Sequence, residues 1–458
     1  MDQLERERQA AVARRIVPDL DSRGVVGVAL TWVDNSGITR VKAVPLGRLE
    51  HAAAWGVGAS PVFDTFLVDD TPVSGRFAGG PVGDLRLHPD LSRLTVLAPA
   101  SGWAWAPADR YDQEGARHPQ DARGIARREV DRLATLGLTV QAAFEVEWCV
   151  SVGDGDEFVP ACQGPAYGMT RLTELSDYLR DLLVALSVQG LSVEQIHPEY
   201  AAGQYEVSVA VEDPIGAADT AVLVRETIRA VSARQGMRAT FGPKVLAEGV
   251  GNGGHVHLSL WRDGANLMSG GAGRFGLTPD GEAFAAGILA RLPALLALGA
   301  PSVASYLRLV PSHWAGAFAC WGLENREAAM RFVMGPAGNR DAAANVEVKC
   351  FDGAANPYLL MAALLAAGRA GLSGDATLPE PVDVDPASLD PRTRAARGIA
   401  ALPGTLAEAV AAFETDPVIA DALGEALVDT IATVRRGEIA LFEAADAATI
   451  AGSTRWKY

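Results

Sequence analysis

The segment "AAFEVEWCV", residues 142–150, combines the pattern of a β-strand with two acidic side chains. Aromatic and β-branched residues favour a strand, in which alternate side chains share a face. Glu145 and Glu147 are therefore predicted on one face, opposite Phe144 and Trp148. Two neighbouring carboxylates are typical of a solvated edge strand. They also suit a cation site, because partly buried like charges repel unless a positive charge lies between them.

Three further segments provide side chains for a cation site. They are "HPEYAAGQYEVSVA" at 197–210, "GVGNGGHVHLSL" at 249–260 and "NVEVKCF" at 345–351. Their candidate ligands are Glu199, Glu206, His255 and Glu347. Each segment alone favours a structural interpretation, but together they supply carboxylates and an imidazole, which suit Mg²⁺ or Mn²⁺ better than structural zinc. Several such ions are typical of phosphoryl transfer.

Composition limits the class of protein. The chain has 458 residues, of which 49% are hydrophobic and 21% charged, so we expect a globular protein with two or more domains. A formal charge of −16 argues against a nucleic-acid surface. The N-terminus has no signal-peptide pattern, and the apolar stretches 283–300 and 357–372 are short or interrupted, so we expect a cytoplasmic protein without membrane contact. The four cysteines lack C-x-x-C spacing, which is typical of reduced structural thiols.

The order of predicted elements indicates an α+β fold. Residues 25–45 form two alternating runs around a turn, which predicts a β-hairpin, and short strands follow near 84–98. Further along, helices are predicted over 121–137, 172–189 and 217–235, with strands over 204–211, 255–261 and 345–351. We predict an N-terminal domain of residues 1–112 and a C-terminal domain of residues 113–458.

No G-x-x-x-x-G-K-[ST] loop is present, so ATP would have to bind by another route. Candidate cations for phosphate or carboxylate oxygens are Arg308, Arg326 and Arg331. Surface ion pairing is the alternative explanation for these arginines.

These residues, in this order, resemble the glutamine synthetase family, whose signature A-N-P-Y-L lies within "VEVKCFDGAANPYLLMAALLAAGRAGL" at 346–372. The resemblance implies a small N-terminal β-grasp domain and a large catalytic domain with a curved antiparallel sheet flanked by helices. It also implies active sites between neighbouring subunits of a dodecamer of two stacked hexamers. The family uses ATP and divalent metal to activate the γ-carboxylate of glutamate as an acyl phosphate, and an amine then displaces phosphate.

The resemblance also implies residue roles. One metal would be held by Glu147, Glu199 and Glu206, and a nucleotide-side metal by Glu145, His255 and Glu347. The residues implied at ATP are His257, Ser259, Arg331 and Asn345. Arg326 would stabilise the transferring phosphoryl group, and the residues implied at the other substrates are Ser60, Tyr167, Gly251, Arg308 and Lys349. The two glutamates at 145 and 147 would then serve two neighbouring ions.

Several residues depart from the family pattern at positions that bind the amine or the acid. Ammonia-using members carry a glutamate that closes the site and deprotonates the amine, where "RLVPSHWAG" at 308–316 has Trp314. Their ammonium-binding aspartate corresponds to Val57 in "VGAS" at 57–60, and Asp64 is not expected to replace it. Without both anions, and with an added indole, an organic amine such as a polyamine, ethanolamine or another monoamine fits better than ammonia. Val250 and Lys349 replace a family asparagine and arginine, which leaves the identity of the acid open.

We therefore predict an ATP-dependent carboxylate–amine ligase that forms a γ-glutamyl amide through γ-glutamyl phosphate. The alternatives are ordinary glutamine synthesis from ammonia and a non-catalytic family member with a structural or regulatory role. The complete set of metal residues, together with Arg326, argues against the non-catalytic alternative. Trp314 is predicted to take part in the catalytic site as the specificity element. Residues 385–395 contain no counterpart of the tyrosine that the family uses for adenylylation, so we expect no such control.

Overall fold

The computed structural model describes residues 1–77 and 80–458. Its N-terminal part begins with a helix and contains a small sheet. The helices are α1 (Gln3–Ser22) and α2 (Leu49–Trp55), and the strands are β1 (Gly27–Val33), β2 (Thr39–Pro45), β3 (Val57–Ala59), β4 (Leu85–Pro89), β5 (Thr95–Val96) and β6 (Trp103–Tyr111). Single 3₁₀ turns follow at Leu46–Arg48, Pro61–Thr65 and Leu91–Arg93.

The N-terminal sheet is organised around the predicted hairpin. β1 and β2 pair antiparallel, with Val33 opposite Thr39, which confirms the hairpin. The described strands follow the order β2-β1-β6-β4-β3, and β5 pairs with β6. β1 and β6 are parallel, whereas the other pairs are antiparallel. α1 and α2 cover the sheet through a separate apolar core.

The C-terminal part alternates helices and strands. Its strands are β7 (Thr139–Val152), β8 (Val193–Pro198), β9 (Gln204–Val209), β10 (Met237–Thr240), β11 (Val256–Arg262), β12 (Ala265–Asn266), β13 (Phe318–Leu323), β14 (Ala328–Val333), β15 (Asn345–Val348) and β16 (Ala400–Ala401). Its helices are α3 (Ala122–Ala134), α4 (Met169–Glu174), α5 (Ser176–Val188), α6 (Pro214–Arg234), α7 (Pro279–Leu289), α8 (Leu292–Gly299), α9 (Ser305–Arg308), α10 (Arg340–Ala343), α11 (Pro357–Ser373), α12 (Pro391–Ala396), α13 (Leu406–Thr415), α14 (Pro417–Leu423), α15 (Glu425–Leu441) and α16 (Ala447–Thr454). Short 3₁₀ segments lie at Arg274–Gly276 and Pro386–Ser388.

A large sheet positions the acidic segments of the sequence. In the described residues it has ten strands in the order β16-β13-β14-β15-β11-β7-β9-β8, with β10 on β7 and β12 on β11. The α+β class and the mostly antiparallel sheet are confirmed, and β13 and β14 form a parallel pair within that sheet. β7 lies between β11 and β9, so its side chains at 145 and 147 face those of two neighbouring strands. The domain boundary at 112 stays a prediction.

The β1–β2 turn docks on the C-terminal part. Gly37 has a φ of 81°, and a Cβ at this position would lie 1.8 Å from the Ala354 carbonyl oxygen, so only glycine fits. Asn356, at the N-cap of α11, donates to the Val33 carbonyl at 3.0 Å. Ser36 donates to the carboxylate of Glu438 at 2.9 Å. These contacts, including the one from Asn356 of the A-N-P-Y-L motif, hold the two parts of the chain together.

Glu438→Gln is expected to make the free energy of unfolding fall less as the pH rises. Burial raises the pKa of Glu438 to about 7 from its ordinary 4.5, against the effect of Arg435. The unfolded chain loses this proton near pH 4.5 and the folded protein near pH 7, so ionisation lowers the free energy of unfolding as pH rises through this window. Relative to the unmodified protein, the free energy of unfolding of Glu438→Gln should therefore be about 1–3 kcal/mol higher at pH 8 than at pH 5. Urea unfolding measures this difference.

The control for this substitution is Glu443→Gln, since Glu443 is exposed just beyond α15. It should change the free energy of unfolding equally little at both pH values. A Glu438→Gln effect that is the same at pH 5 and pH 8 would contradict the assignment.

Within residues 1–77 and 80–458, no individual helix has both the length and the apolar character needed to cross a bilayer. α7 and α8 meet these criteria only when taken together, and they are bent by 67° relative to each other.

Candidate active site

Three side chains that were predicted to share one metal come together on the large sheet. Glu145 on β7, His255 just before β11 and Glu347 on β15 form what we call the inner cluster. The Nδ1 of His255 lies 3.0 Å from Glu145 Oε2 and 3.2 Å from Glu347 Oε1. The ligand atoms of all three lie within 4.8 Å of one another. Two carboxylates and one imidazole at this spacing suit a divalent cation.

A second group lies at the end of β8 and on β9. His197, Glu199 and Glu206 form the outer cluster, with ligand atoms again within 4.8 Å of one another. His197 Nε2 lies 3.3 Å from Glu206 Oε1, and its Nδ1 lies 3.7 Å from Glu199 Oε1. Tyr167, which has a φ of 56°, donates its hydroxyl to Glu199 at 2.9 Å. The predicted residues Tyr167, Glu199 and Glu206 are thus brought together.

Glu147 lies beside the outer cluster. It is opposite Glu206 in the β7–β9 pair, and its Oε2 accepts from the Gly253 amide at 2.7 Å and from Gln204 at 3.2 Å, so its role as a metal ligand stays a prediction. His197 is a member of the outer cluster that the sequence did not single out. The available signal was strand alternation, because His197 lies two residues before Glu199.

The pKa shifts of the cluster carboxylates differ between the two clusters. Burial, followed by repulsion from Glu147 and Glu206, raises the pKa of Glu199 to about 6. Burial also raises the pKa of Glu206. In the inner cluster Lys349 and two histidines overcome burial and lower the pKa of Glu347 to about 2. Protein cations thus neutralise part of the inner cluster, whereas the carboxylates of the outer cluster still repel one another.

Two glycines before β11, Gly251 and Gly253, form a cradle beside the clusters in which a Cβ has no room. A Cβ at Gly253 would lie 2.5 Å from His255 Nε2 and 2.7 Å from Glu147 Oε1. A Cβ at Gly251 would lie 2.1 Å from the Pro243 carbonyl oxygen and 2.9 Å from a side-chain carbon of Arg308. The donor atoms and this cradle together fit divalent ions held by the inner and outer clusters.

Three of the four residues predicted at ATP line a cavity on the inner-cluster side. The cavity has a volume of about 290 Å³ and includes His257, Ser259 and Asn345 in its lining, beside Glu145. The imidazole of His257 lies within 2.9 Å of Asn345 Oδ1, and Glu145 counteracts burial to raise the pKa of His257 to about 9. Arg331 lies across the strand pair from Glu347 and donates to it at 3.1 Å.

Arg308 and Lys349, the two cations implied at the carboxylates of the amino-acid substrate, have different surroundings. Arg308 is buried, its Nη2 donates to the Lys349 carbonyl at 3.1 Å, and its Nη1 has no hydrogen-bond partner in the part of the chain that the structure describes. A buried N–H donor without a partner can donate to an anionic ligand. The ammonium of Lys349 is instead paired with Glu347 at 3.0 Å. Arg308 therefore has the stronger structural support, and the role of Lys349 stays a prediction.

The residues predicted near the amine lie in two separate places. Val57 and Ser60 lie in and beside β3 of the N-terminal sheet, where Ser60 Oγ accepts from the Val62 amide. Asp64 is buried and paired with Arg110 at 2.6 Å, which supports the expectation that it does not replace the missing aspartate. We call residues 311–316 the Trp314 loop. The indole of Trp314 is 53% exposed and lies 5.9 Å from the guanidinium of Arg326.

The chain is similar to known proteins over most of its length. Residues 119–450 match the family model described as glutamine synthetase, catalytic domain. The chain is 59% identical over 443 residues to the γ-glutamylpolyamine synthetase GlnA3 of Streptomyces coelicolor, with 96% of this chain and 95% of that protein covered. It is 32% identical to a glutamine synthetase of Halobacterium salinarum, with 94% of each chain covered.

Solved structures show the same fold. A crystal structure of a novel glutamine synthase homologue matches with a TM-score of 0.85 at 34% identity, covering 95% of this chain and 99% of that one. A GmaS/ADP complex matches with a TM-score of 0.81 at 28% identity, covering 95% and 96%. Because the family model spans most of the chain and these relatives cover nearly all of it, the chain belongs to the glutamine synthetase family.

Proposed function

We propose that the chain is an ATP-dependent ligase that joins the γ-carboxylate of glutamate to an organic amine, with a polyamine as the first candidate. The observation that carries this proposal is the placement of Trp314 beside Arg326, where ammonia-using members of the family carry a glutamate. The 59% identity to a protein named γ-glutamylpolyamine synthetase supports the same conclusion. Ordinary glutamine synthesis is the second candidate, favoured by the name of the Halobacterium relative.

The reaction has two steps. First, a γ-carboxylate oxygen of glutamate attacks the terminal phosphorus of ATP, and ADP leaves. The amine nitrogen then attacks the acyl carbon, phosphate leaves, and the nitrogen loses a proton. Mg²⁺ or Mn²⁺ held by the inner and outer clusters supplies charge neutralisation at the phosphates.

The protein residues orient the reactants. His257 and Asn345 line the nucleotide cavity, and Arg308 offers its unpartnered Nη1 to a substrate carboxylate. In the described residues the Arg326 guanidinium makes neither a hydrogen bond nor an ion pair, so it is available to the transferring phosphoryl group. Trp314 places apolar surface next to this guanidinium, 5.9 Å from it.

The amine site contains fewer anions than an ammonium site requires. Ammonium is a small hydrated cation that binds where carboxylates replace its water, and neither Val57 nor Trp314 can do this. An amine with a carbon skeleton gains apolar contact with an indole instead. The intact clusters and Arg326 also argue against a non-catalytic role, because several buried carboxylates in close proximity are costly without a cation to hold.

Assembly is proposed from the position of the N-terminal strand. Val57 and Ser60 belong to the N-terminal sheet, whereas both clusters lie on the large sheet. A neighbouring subunit that presents β3 to this site would complete it. We therefore propose the double-ringed dodecamer of the family, twelve copies of the 48.0 kDa chain.

Phosphate release is expected to depend strongly on the amine supplied. With glutamate, ATP and Mg²⁺ or Mn²⁺ fixed, a panel of polyamines, ethanolamine, other monoamines and ammonia should show at least about a tenfold higher kcat/KM for the best organic amine than for ammonia. Mass spectrometry should then find the γ-glutamyl amide. Ammonia matching the best organic amine would favour ordinary glutamine synthesis, and no release with any amine would contradict the ligase.

A further inference from the structure

Glu327 is a buried acidic residue next to the predicted phosphoryl-binding arginine. It is only 8% exposed, and its Oε1 accepts from the backbone amide of Trp314 at 2.8 Å. It forms no salt bridge with any residue that the structure describes. A buried carboxylate that accepts from a backbone amide rather than from a side-chain cation is held in place by that amide.

The Trp314 loop needs such an anchor. Ser312 and Trp314 have φ values of 59° and 55°, a left-handed conformation that residues with a Cβ seldom adopt. Strained backbone of this kind persists only where the surrounding structure holds it. Two side-chain contacts hold this loop: Glu327 at the amide of Trp314, and Asp385, which accepts from the Ser312 hydroxyl at 2.6 Å.

Glu327 also belongs to the short segment that carries Arg326, residues 325–327. Glu327 directly follows Arg326, and its own amide donates to Asn325 Oδ1 at 3.0 Å. Asn325 in turn donates to the Val382 carbonyl at 2.8 Å. Residues 325–327 are therefore held by hydrogen bonds on both sides, so one carboxylate links the backbone of the Trp314 loop to the backbone next to Arg326.

We propose that Glu327 is a positioning residue that holds the Trp314 loop beside Arg326 and thereby determines which amines reach the acyl phosphate. This inference rests on the proposed function, because it assigns amine selection to Trp314. Glu327 acts through the backbone of Trp314 and contributes no group to the reaction.

The test compares three variants. Glu327→Ala removes the acceptor, Glu327→Gln keeps an acceptor oxygen at the same reach, and Asp383→Ala removes an exposed carboxylate nearby as a control. In Glu327→Ala, amide hydrogen exchange over residues 312–316 should become at least about tenfold faster, because a hydrogen bond to a charged acceptor is lost. The KM for the amine should rise about tenfold, with the KM values for ATP and glutamate within about twofold. Glu327→Gln and Asp383→Ala should stay within about threefold of the unmodified protein in every measurement.

Two outcomes would overturn the inference. One is unchanged exchange and unchanged amine KM in Glu327→Ala. The other is an equal rise in all three KM values, which a general structural role would produce. If Glu327→Ala fails to fold, Glu327→Asp replaces it, since this carboxylate is one methylene shorter and should speed exchange over residues 312–316. If the unmodified protein uses no amine, the proposed function fails, and hydrogen exchange alone still decides whether Glu327 holds the loop.

Discussion

Glu199→Gln lowers ATP turnover by about 10³-fold while leaving the fold intact, if the outer cluster holds a catalytic ion. Glu199 is half-buried beside His197 and Glu206, and its contacts suit a ligand rather than a packing residue. Repulsion from Glu147 and Glu206 contributes to its raised pKa, so a neutral amide relieves strain in the absence of metal. The metal-free variant should therefore melt at the same temperature as the unmodified protein or higher.

Thermal melting with and without Mn²⁺ separates binding from catalysis in this variant. Mn²⁺ should raise the melting temperature of the unmodified protein, and the rise should be much smaller in Glu199→Gln, because bound ligands stabilise only the state that binds them. Glu174→Gln, an exposed glutamate at the end of α4, serves as the control and should respond to Mn²⁺ normally. An Mn²⁺ response and ATP turnover that both survive in Glu199→Gln would remove this residue from the metal site.

The inner cluster could be predicted from the sequence because strand alternation is a local rule. In "AAFEVEWCV" the pattern places Glu145 on the face opposite Phe144, and the family motifs supply His255 and Glu347. The structure brings all three within 4.8 Å of one another. Register between β7, β11 and β15 does this, and buried apolar faces fix register strongly.

Contacts between distant parts of the chain could not be predicted in this way. The bond between Ser36 and Glu438 joins residues 402 positions apart, and neither residue has a sequence pattern that points to the other. Glu327 likewise meets the amide of Trp314, thirteen residues earlier, through a left-handed turn that no periodicity encodes. His197 has a different explanation, since the sequence pattern around "HPEY" pointed only to the glutamates, whereas the structure places His197 near the end of β8, beside Glu206.

Trp314→Glu combined with Val57→Asp should shift the preference from organic amines toward ammonia. A carboxylate beside the acyl phosphate can bind ammonium and take its proton, which Trp314 and Val57 cannot do. One general base is worth roughly 10²- to 10⁴-fold in rate, so the ratio of kcat/KM for ammonia to that for the best organic amine should rise at least about 10²-fold. Glu327 still binds the backbone amide at position 314, so the loop keeps its anchor in this variant.

The control for the double variant is Trp103→Glu, because Trp103 is a partly exposed indole on β6 of the N-terminal sheet. This change should leave the preference among amines unaltered. Phosphate release with both nucleophiles distinguishes the outcomes. A loss of activity with ammonia and amines alike shows only that the site no longer assembles, and single variants at 57 and 314 then measure each contribution. An active double variant with an unchanged ratio contradicts the role of Trp314, since the charge would be present at the acyl phosphate and the enzyme would still not use it.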